Sequence, residues 1–322
     1  MEIRTLQATD DQAMAAAYAV ECAATARARP QWVPLGEAAR VNAWRAANGW
    51  RRTFLGAFDQ GELIGLASCE TADDTPDTAW VNVSVMPDRA GSGVGSALTA
   101  AAEAAAAPRV TRFVARAYRP SPADAAPLIE AFAAPLGYTV AATETVVELD
   151  LERADLPAAA PHHCYSVETS LDGVPEALRA EVGVLKGLVD AEAPNGELDW
   201  KPAPVSPEDY AAELETWQRQ GRRAIETVAV DKDSVVAWTC LVVPRDPRRP
   251  AQIEGTLVRS EHRGKRLGTT VKVANLHRAR ELGVRRVRTS SNDTNRWMRA
   301  INAELGFRPV ETEVLLHKRL GS

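Results

Sequence analysis

Between Thr256 and Thr270 the chain reads TLVRSEHRGKRLGTT, a run whose residue types converge on anion binding. Arg259, Arg263, Lys265 and Arg266 fall within eight residues, with His262 among them, in a chain of net charge −5. A strand-like run, Ile253–Val258, leads into this basic, glycine-containing turn, and the turn opens onto a helix. Such a helix start leaves backbone N–H groups without partners, and together with the helix dipole they suit a phosphate. The spacing predicts a pyrophosphate cradle. The alternative is a strand–helix connection that needs residues of positive φ and nothing more.

A carboxylate stands on the same strand. Glu254 lies four residues before Val258, and strict alternation places Glu254, Thr256 and Val258 on one face. Beside a ligand cleft, desolvation raises the pKa of such a carboxyl and suits it to general-base work; the alternative is an acid on the solvent face. Downstream, Asn292 either binds ligand or caps the next helix, where Met298, Ile301 and Leu305 recur at the spacing of a core face. Upstream, Asp190, Glu192, Glu197 and Asp199 suit either a cationic amine or a solvated loop.

The elements that must position these residues come from a chain of 322 residues, long enough for two domains. With 45 % hydrophobic and 25 % charged residues it reads as soluble and globular. The acidic balance argues against a general nucleic-acid binder. No apolar run approaches the ~20 residues of a membrane span, and MEIRTLQATDD lacks a signal-peptide pattern, so a cytoplasmic location is expected. Cys22, Cys69, Cys164 and Cys240 are scattered and read as small buried hydrophobes; neither a disulfide framework nor a metal site is indicated, at His162–His163 or elsewhere.

Strands alternate with helices up to TETVVELDL, which closes a first half; ERADLPAAAPHHC, rich in Ala and Pro, reads as a linker, and the pattern then starts again. Asp59 matches Asp231, Cys69 matches Cys240, and Gly95 matches Gly268. Leu136-Gly137-Tyr138 matches Leu305-Gly306-Phe307, and Thr143-Glu144 matches Thr312-Glu313, all at a near-constant separation of about 170 residues. A tandem duplication of one α/β domain follows, with domains over 1–151 and 165–322 and a linker over 152–164.

The second half carries Arg263-Gly264-Lys265-Arg266-Leu267-Gly268 after His262, then Asn292, Asn295, Met298 and Asn302 ahead of Leu305-Gly306-Phe307. This pattern resembles the GNAT acetyltransferase superfamily, and the tandem arrangement resembles its mycothiol synthase-like group. The resemblance implies two tandem α/β domains, each a mixed, mostly antiparallel twisted sheet flanked by helices. It implies acetyl-CoA as cosubstrate, no metal, and direct attack on the thioester by a primary amine of a small molecule, in a monomer or dimer without nucleic-acid or membrane partners. Leu257 and Val258 would bond the pantetheine, as would Asn292 and Asn295 nearby. Arg263, Gly264, Lys265, Arg266, Leu267, Gly268 and Thr269 would hold the pyrophosphate, and Glu254 would be the base. Asn302 stands where many members carry a tyrosine that protonates the departing thiolate, so either it orients the cofactor alone or another group supplies the proton. Arg266 replaces a usual glycine; its side chain must point away from the diphosphate or clasp it.

In the first half Val85, Gly91, Gly93 and Gly95 outline a possible second CoA site. That half has no carboxylate on its motif strand and Ala133 in the place of Asn302, which marks it as degenerate. Two alternatives stay open: the reaction of the mycothiol synthases themselves, and a non-catalytic CoA-binding or regulatory module.

Overall fold

A computed structural model of the chain describes residues 1–46, 49–73, 75–120, 128–158, 164–194, 196–198 and 203–320. The first half runs β1 (Glu2–Leu6), α1 (Asp11–Ala28), α2 (Glu37–Arg45), β2 (Trp50–Asp59), β3 (Glu62–Ala72), β4 (Thr78–Val85), α3 (Val94–Ala106), β5 (Arg112–Pro120), α4 (Leu128–Ala133) and β6 (Thr139–Asp150). The second runs β7 (Ser166–Leu171), α5 (Arg179–Glu192), α6 (Pro207–Arg219), β8 (Arg223–Asp231), β9 (Ser234–Val243), β10 (Ala251–Val258), α7 (Leu267–Glu281), β11 (Arg286–Asn292), α8 (Arg296–Glu304) and β12 (Arg308–Arg319). Local chemistry sets the boundaries. Asp10 caps α1 by accepting from the Ala13 N–H, and Ser206 caps α6 by accepting from Asp209, with Pro207 at the first helical position. Each half has a tight hairpin whose turn places Gln60 or Lys232 at positive φ.

The repeat is visible in the strand ladders. In unit 1 the strand order is β1-β2-β3-β4-β5-β12, and in unit 2 it is β6-β11-β10-β9-β8-β7. The ladders β1–β2, β2–β3, β3–β4, β6–β11, β9–β10, β8–β9 and β7–β8 are antiparallel, and β4 with β5 and β10 with β11 are parallel. These parallel pairs are short. Ala251 and Gln252 pair with Val287 and Arg288, whereas the antiparallel ladder with β9 continues to Val258. Beyond Gln252, β10 and β11 part, and the end of β10 has one bonded neighbour.

The compact units are divided differently from the sequence repeat. Unit 1 is Met1–Thr143 with Thr312–Ser322, and unit 2 is Glu144–Glu311. The final strand of the chain therefore completes unit 1. Val314 and Leu316 of β12 enter the core with Phe113 and Leu98, and Lys318 Nζ lies 2.6 Å from the Glu103 carboxylate. Unit 2 is completed by β6 from Glu144 onward. Its Val147 and Leu149 pack with Val287, Leu276 and Phe307, and Arg288 bonds Glu148 at 2.6 Å. The two crossing points, after Thr143 and before Thr312, fall within one residue of matching positions in the repeat. Because the two closing strands are near copies, either can complete a given sheet, and periodicity does not say which does.

Two further expectations are corrected. The stretch after Leu151 is anchored, not a free linker, as far as it is described: Leu156 is buried in unit 2, and Arg280 donates to the carbonyls of Leu151 (3.0 Å) and Ala154 (2.5 Å). Cys69 and Cys240 are both buried but do not share one position. Counted from the matching hairpin turns, Cys69 stands where unit 2 has Leu241. Cys69 packs with Leu98 and Ala102 of α3, while Cys240 packs with Leu185 of α5 and Tyr210 of α6. A one-residue shift in a strand exchanges its faces, so the matched cysteines face opposite sides. Cys22 is half-buried and Cys164 exposed, so the buried reading fits only Cys69 and Cys240. The pair His162–His163 lies outside the described residues.

Removal of the chain from Thr312 onward is expected to disrupt unit 1 in preference to unit 2. Hydrogen exchange should show lost protection along β5, whose neighbour is β12, with β8 and β9 still protected. Loss confined to unit 2 would contradict the strand assignment.

Candidate active site

The basic turn lies where β10 has parted from β11. After Val258 a short 3-10 turn, Ser260–His262, leads to Gly264 at φ 76° and Arg266 at φ 59°, and α7 begins at Leu267. No side chain caps α7, so its first N–H groups are free for a ligand. Gly264 has open space where a Cβ would stand. The dipole of this 15-residue helix adds a stabilisation of roughly 0.3–1 kcal/mol for an anion at that end. The donor set fits a diphosphate: backbone N–H groups in a left-handed turn, an uncapped helix and cations around them.

The cations hold partners of their own. Arg263 bonds Glu192 of α5 and donates through Nε to the Val258 carbonyl at 3.1 Å. Lys265 Nζ donates to the Tyr165 hydroxyl at 2.7 Å, and that hydroxyl lies 3.0 Å from His262 Nδ1. Arg266 adopts the left-handed conformation although it is not glycine, at a cost of roughly 1 kcal/mol. Its side chain is 70 % exposed and reaches Glu304 of α8 at 2.5 Å, pointing away from the turn. Thr270 donates back to the Arg266 carbonyl, and the side chains of Leu267 and Val258 pack together with Val271. Leu257 instead is buried with Trp238 on the opposite face. Asn292 accepts from the Thr294 N–H at 2.9 Å in a turn after β11, and Asn295 caps α8 by accepting from Met298.

Glu254 departs from the alternation expected of it. The β9–β10 register shifts between Ile253, opposite Leu241, and Gly255, opposite Cys240, which leaves Glu254 as the extra residue of a bulge. Ala251 and Ile253 pack towards α7, whereas Leu257 packs towards α5 and α6, so the strand changes face at the bulge. Glu254 therefore lies on the α5/α6 face, while Thr256 and Val258 lie on the α7 face. Gly255 is required here, because a Cβ would meet Trp238 at 2.8 Å.

The bulge delivers Glu254 to a cluster that sequence reasoning missed. Arg222 Nη2 lies 3.3 Å from its carboxylate. Lys186 Nζ bonds Glu213 at 2.5 Å and sits 5.2–5.6 Å from the ring centres of Trp217, Trp238 and Tyr210. Glu226, fully buried, accepts from Tyr210 and, at 2.9 Å, from Trp238 Nε1. Glu254 keeps 39 % of its side chain open to solvent, yet the surrounding protein pushes its carboxyl above the ordinary value, against the opposing pull of Arg222. Accessible and raised, it has the properties of a base. The sequence offered one hint at the rest: Glu226 interrupts an otherwise apolar strand. Of the acidic stretch, Glu192 is tied to Arg263 and Glu197 is exposed. Asp199 and the side chain of Asp190 lie outside the described residues.

On the α7 side, Lys272 is 1 % exposed and donates to Asn302 Oδ1 at 2.6 Å. Burial lowers its pKa to about 7. The row Gly268, Lys272, Leu276 follows the i, i+4 spacing of one buried helix face, the signal that would have placed this lysine inward.

Unit 1 repeats the turn without the rest. Gly91 and Gly93 take positive φ where unit 2 has Gly264 and Arg266. The β3–β4 ladder runs without a shift from Thr71–Ala79 to Gly65–Val85, so nothing corresponds to Glu254. Arg89 pairs with Asp59 and Asp88, and the ring of Phe132 lies 3.1 Å from the place of a Cβ on Gly95.

These paired turns, each opening a helix beside a parting parallel pair, agree with the family comparison. The model of the acetyltransferase (GNAT) family matches residues 14–128 and again 193–307. The chain belongs to this family. A tandem GNAT protein from the clavulanic acid biosynthesis pathway, solved without AcCoA, is 28 % identical with a TM-score of 0.79, covering 100 % of this chain and 99 % of that one. A GCN5-related N-acetyltransferase from Sphaerobacter thermophilus shares the fold at 17 % identity and TM-score 0.70, covering 100 % and 96 %. No curated protein matches the chain. Among the described residues, no helix is long and apolar enough to cross a membrane, and no group of three or more His, Cys, Asp or Glu side chains is gathered to hold a metal.

The buried lysine gives a stability signature. Folded Lys272 releases its proton near pH 7 and unfolded lysine near 10.4, so between these values the unfolded state binds more protons and stability rises with pH. Relative to Lys272→Met, the wild-type melting temperature should climb between pH 7 and 10; parallel curves would show that Lys272 titrates normally.

Proposed function

We propose that unit 2 is an N-acetyltransferase that moves an acetyl group from acetyl-CoA to a primary amine of a small molecule. Glu254 carries this reading: one extra strand residue brings a pKa-raised, solvent-reachable carboxylate to the strand whose end feeds the diphosphate turn. The N–H groups from Gly264 to Thr269 would hold the diphosphate. The end of β10, parted from β11, offers backbone groups to the pantetheine arm.

Acetyl-CoA, when bound, supplies an activated acetyl group and a thiolate leaving group. Glu254 takes a proton from the substrate ammonium, which frees the nitrogen lone pair for attack on the carbonyl. A C–N bond forms, the C–S bond breaks with its electrons on sulfur, and the second nitrogen proton passes to solvent. Holding both reactants in one cleft replaces a bimolecular encounter.

The acceptor would enter from the α5/α6 face, where Trp217, Trp238, Glu213 and Arg222 surround Glu254. Both signs of charge are present there, which suits an amine that also bears a polar or anionic group. The tandem neighbour from a small-molecule pathway supports a small acceptor over a protein. Unit 1 would act as a structural partner, since it lacks the bulge carboxylate and the cation at its turn, Arg89, is paired with Asp59 and Asp88.

Glu254→Gln is expected to lower kcat by about 100-fold or more while changing the Kd of acetyl-CoA less than about threefold. In the wild type, kcat/KM should rise with pH through an apparent pKa above that of an ordinary carboxylate, and the variant should lose that limb. Release of CoA thiol against an amine panel provides the assay. An unchanged kcat would remove Glu254 from the mechanism, and CoA binding without turnover on any amine would favour a binding module.

A further inference from the structure

The charged side chains around Glu254 are not equally committed. Glu226 is buried between the Tyr210 hydroxyl and Trp238 Nε1. Lys186 is nearly buried, neutralised by Glu213 at 2.5 Å and boxed by three aromatic rings, so little of it is open to a ligand. Arg222 and Glu254 differ. Their side chains are 30 % and 39 % exposed, and they face each other across 3.3 Å.

Arg222 also has donors to spare. Its neighbour Arg223 is saturated: Nε lies 2.7 and 2.8 Å from the two oxygens of Asp172, and Nη2 adds a contact at 2.6 Å. Arg222 has one nitrogen on Glu254 at 3.3 Å and another on Gln220 at 3.5 Å, both long for charge-assisted bonds. Its place is nonetheless fixed. The Arg222 N–H donates to the Trp217 carbonyl at 2.8 Å, and the guanidinium lies 5.5 Å from the Trp217 ring centre. A guanidinium held on an indole face, with its fork partly open to solvent, suits a carboxylate taken by two parallel N–H bonds.

The duplicated half has neither member of this pair. Counted from the matching hairpin bulges, Trp50 stands in the place of Arg222, and β4 carries no carboxylate. In unit 2 an acceptor with an ammonium alone would meet Arg222 as a like charge beside its base, which weakens binding. An acceptor that also bears a carboxylate exchanges the internal ion pair for two of its own and leaves no charge uncompensated. Because Arg222 and Glu254 touch, the two groups of the ligand have to be close as well. At roughly 1.5 Å per bond, one or two carbon atoms between nitrogen and carboxylate span the gap.

We propose that the acceptor of unit 2 is an α- or β-amino acid, with its ammonium on Glu254 and its carboxylate on the Arg222 guanidinium. This rests on the reading of unit 2 as an N-acetyltransferase and names the class of amine that its site selects. Arg222 sets specificity: it holds the group that does not react and turns the nitrogen toward the base. Glu254 remains the group that takes the proton. The side chain of the amino acid is left free to vary, since neither contact involves it.

The test follows thiol release from acetyl-CoA by the full-length protein with pairs of amines that differ in the carboxylate. Phenylalanine is set against phenethylamine, histidine against histamine, and β-alanine against ethylamine. Wild type should favour the carboxylate-bearing member of at least one pair by about 30-fold or more in kcat/KM. Arg222→Gln should bring that ratio to within about threefold of one, chiefly through the KM of the amino acid, and change the Kd of acetyl-CoA less than about twofold. Arg222→Lys, which keeps the charge and loses the fork, should retain part of the ratio. Equal kcat/KM within every pair, or a preference that survives in Arg222→Gln, would overturn the proposal and leave the acetyltransferase reading intact. Turnover of no member of any pair, with acetyl-CoA bound, would remove the reading on which it rests. Should Arg222→Gln not fold, the ratio in Arg222→Lys against wild type decides.

Discussion

The unpaired residue of β10 sits between two demands of the sheet. Backbone pairing with β9 has to continue to Val258, so that the strand ends at the anion-binding turn. The faces of the strand also have to be exchanged midway, because Ala251 and Ile253 belong to the core beneath α7 while Leu257 belongs to the core beneath α5 and α6. A bulge meets both. It adds one residue, reverses the side-chain alternation and leaves a side chain without a fixed place in either core. In unit 2 that residue is Glu254. Unit 1 keeps an unbroken ladder, and its motif strand carries no carboxylate.

The second constraint is the left-handed entry to α7. Gly264 and Arg266, both at positive φ ahead of Leu267, lead into a helix that no side chain caps, a backbone pattern suited to binding an anion. The same backbone occurs at Gly91 and Gly93, which shows that the turn is a property of the fold. What separates the copies is what surrounds the turn. Unit 2 places Arg263 and Lys265 beside it, and the Arg263–Glu192 pair lies at the surface, where an ion pair costs little to exchange. In unit 1 the one cation at the turn, Arg89, is paired with Asp59 and Asp88.

Much of this was legible in the sequence. The duplication followed from matched turns and glycines, and the basic turn followed from charge crowded after a strand. Three features were not, for physical reasons. A bulge leaves no compositional trace, since Glu254-Gly255 reads as ordinary alternation until the ladder is seen. Strand ownership is invisible where two closing strands are near copies, as Thr143-Glu144 and Thr312-Glu313 are. The cluster of Lys186, Glu213, Glu226 and Trp238 is drawn from four elements that only the fold brings together. Lys272 is an intermediate case. Its spacing from Gly268 and Leu276 points it inward, but a lysine in a helix is ordinarily a surface residue. Asn292 and Asn295 show the converse limit, because the side chains that pattern assigned to a cofactor are engaged in a turn and a helix cap.

The central claim is that one of two similar turns grips the cosubstrate. A crystal structure of the full chain with acetyl-CoA tests it most directly. The diphosphate should lie on the N–H groups between Gly264 and Thr269, with the thioester in the opening beside Glu254 and Asn302. A diphosphate held at Gly91–Gly95 alone, or a thioester remote from β10, would contradict the account.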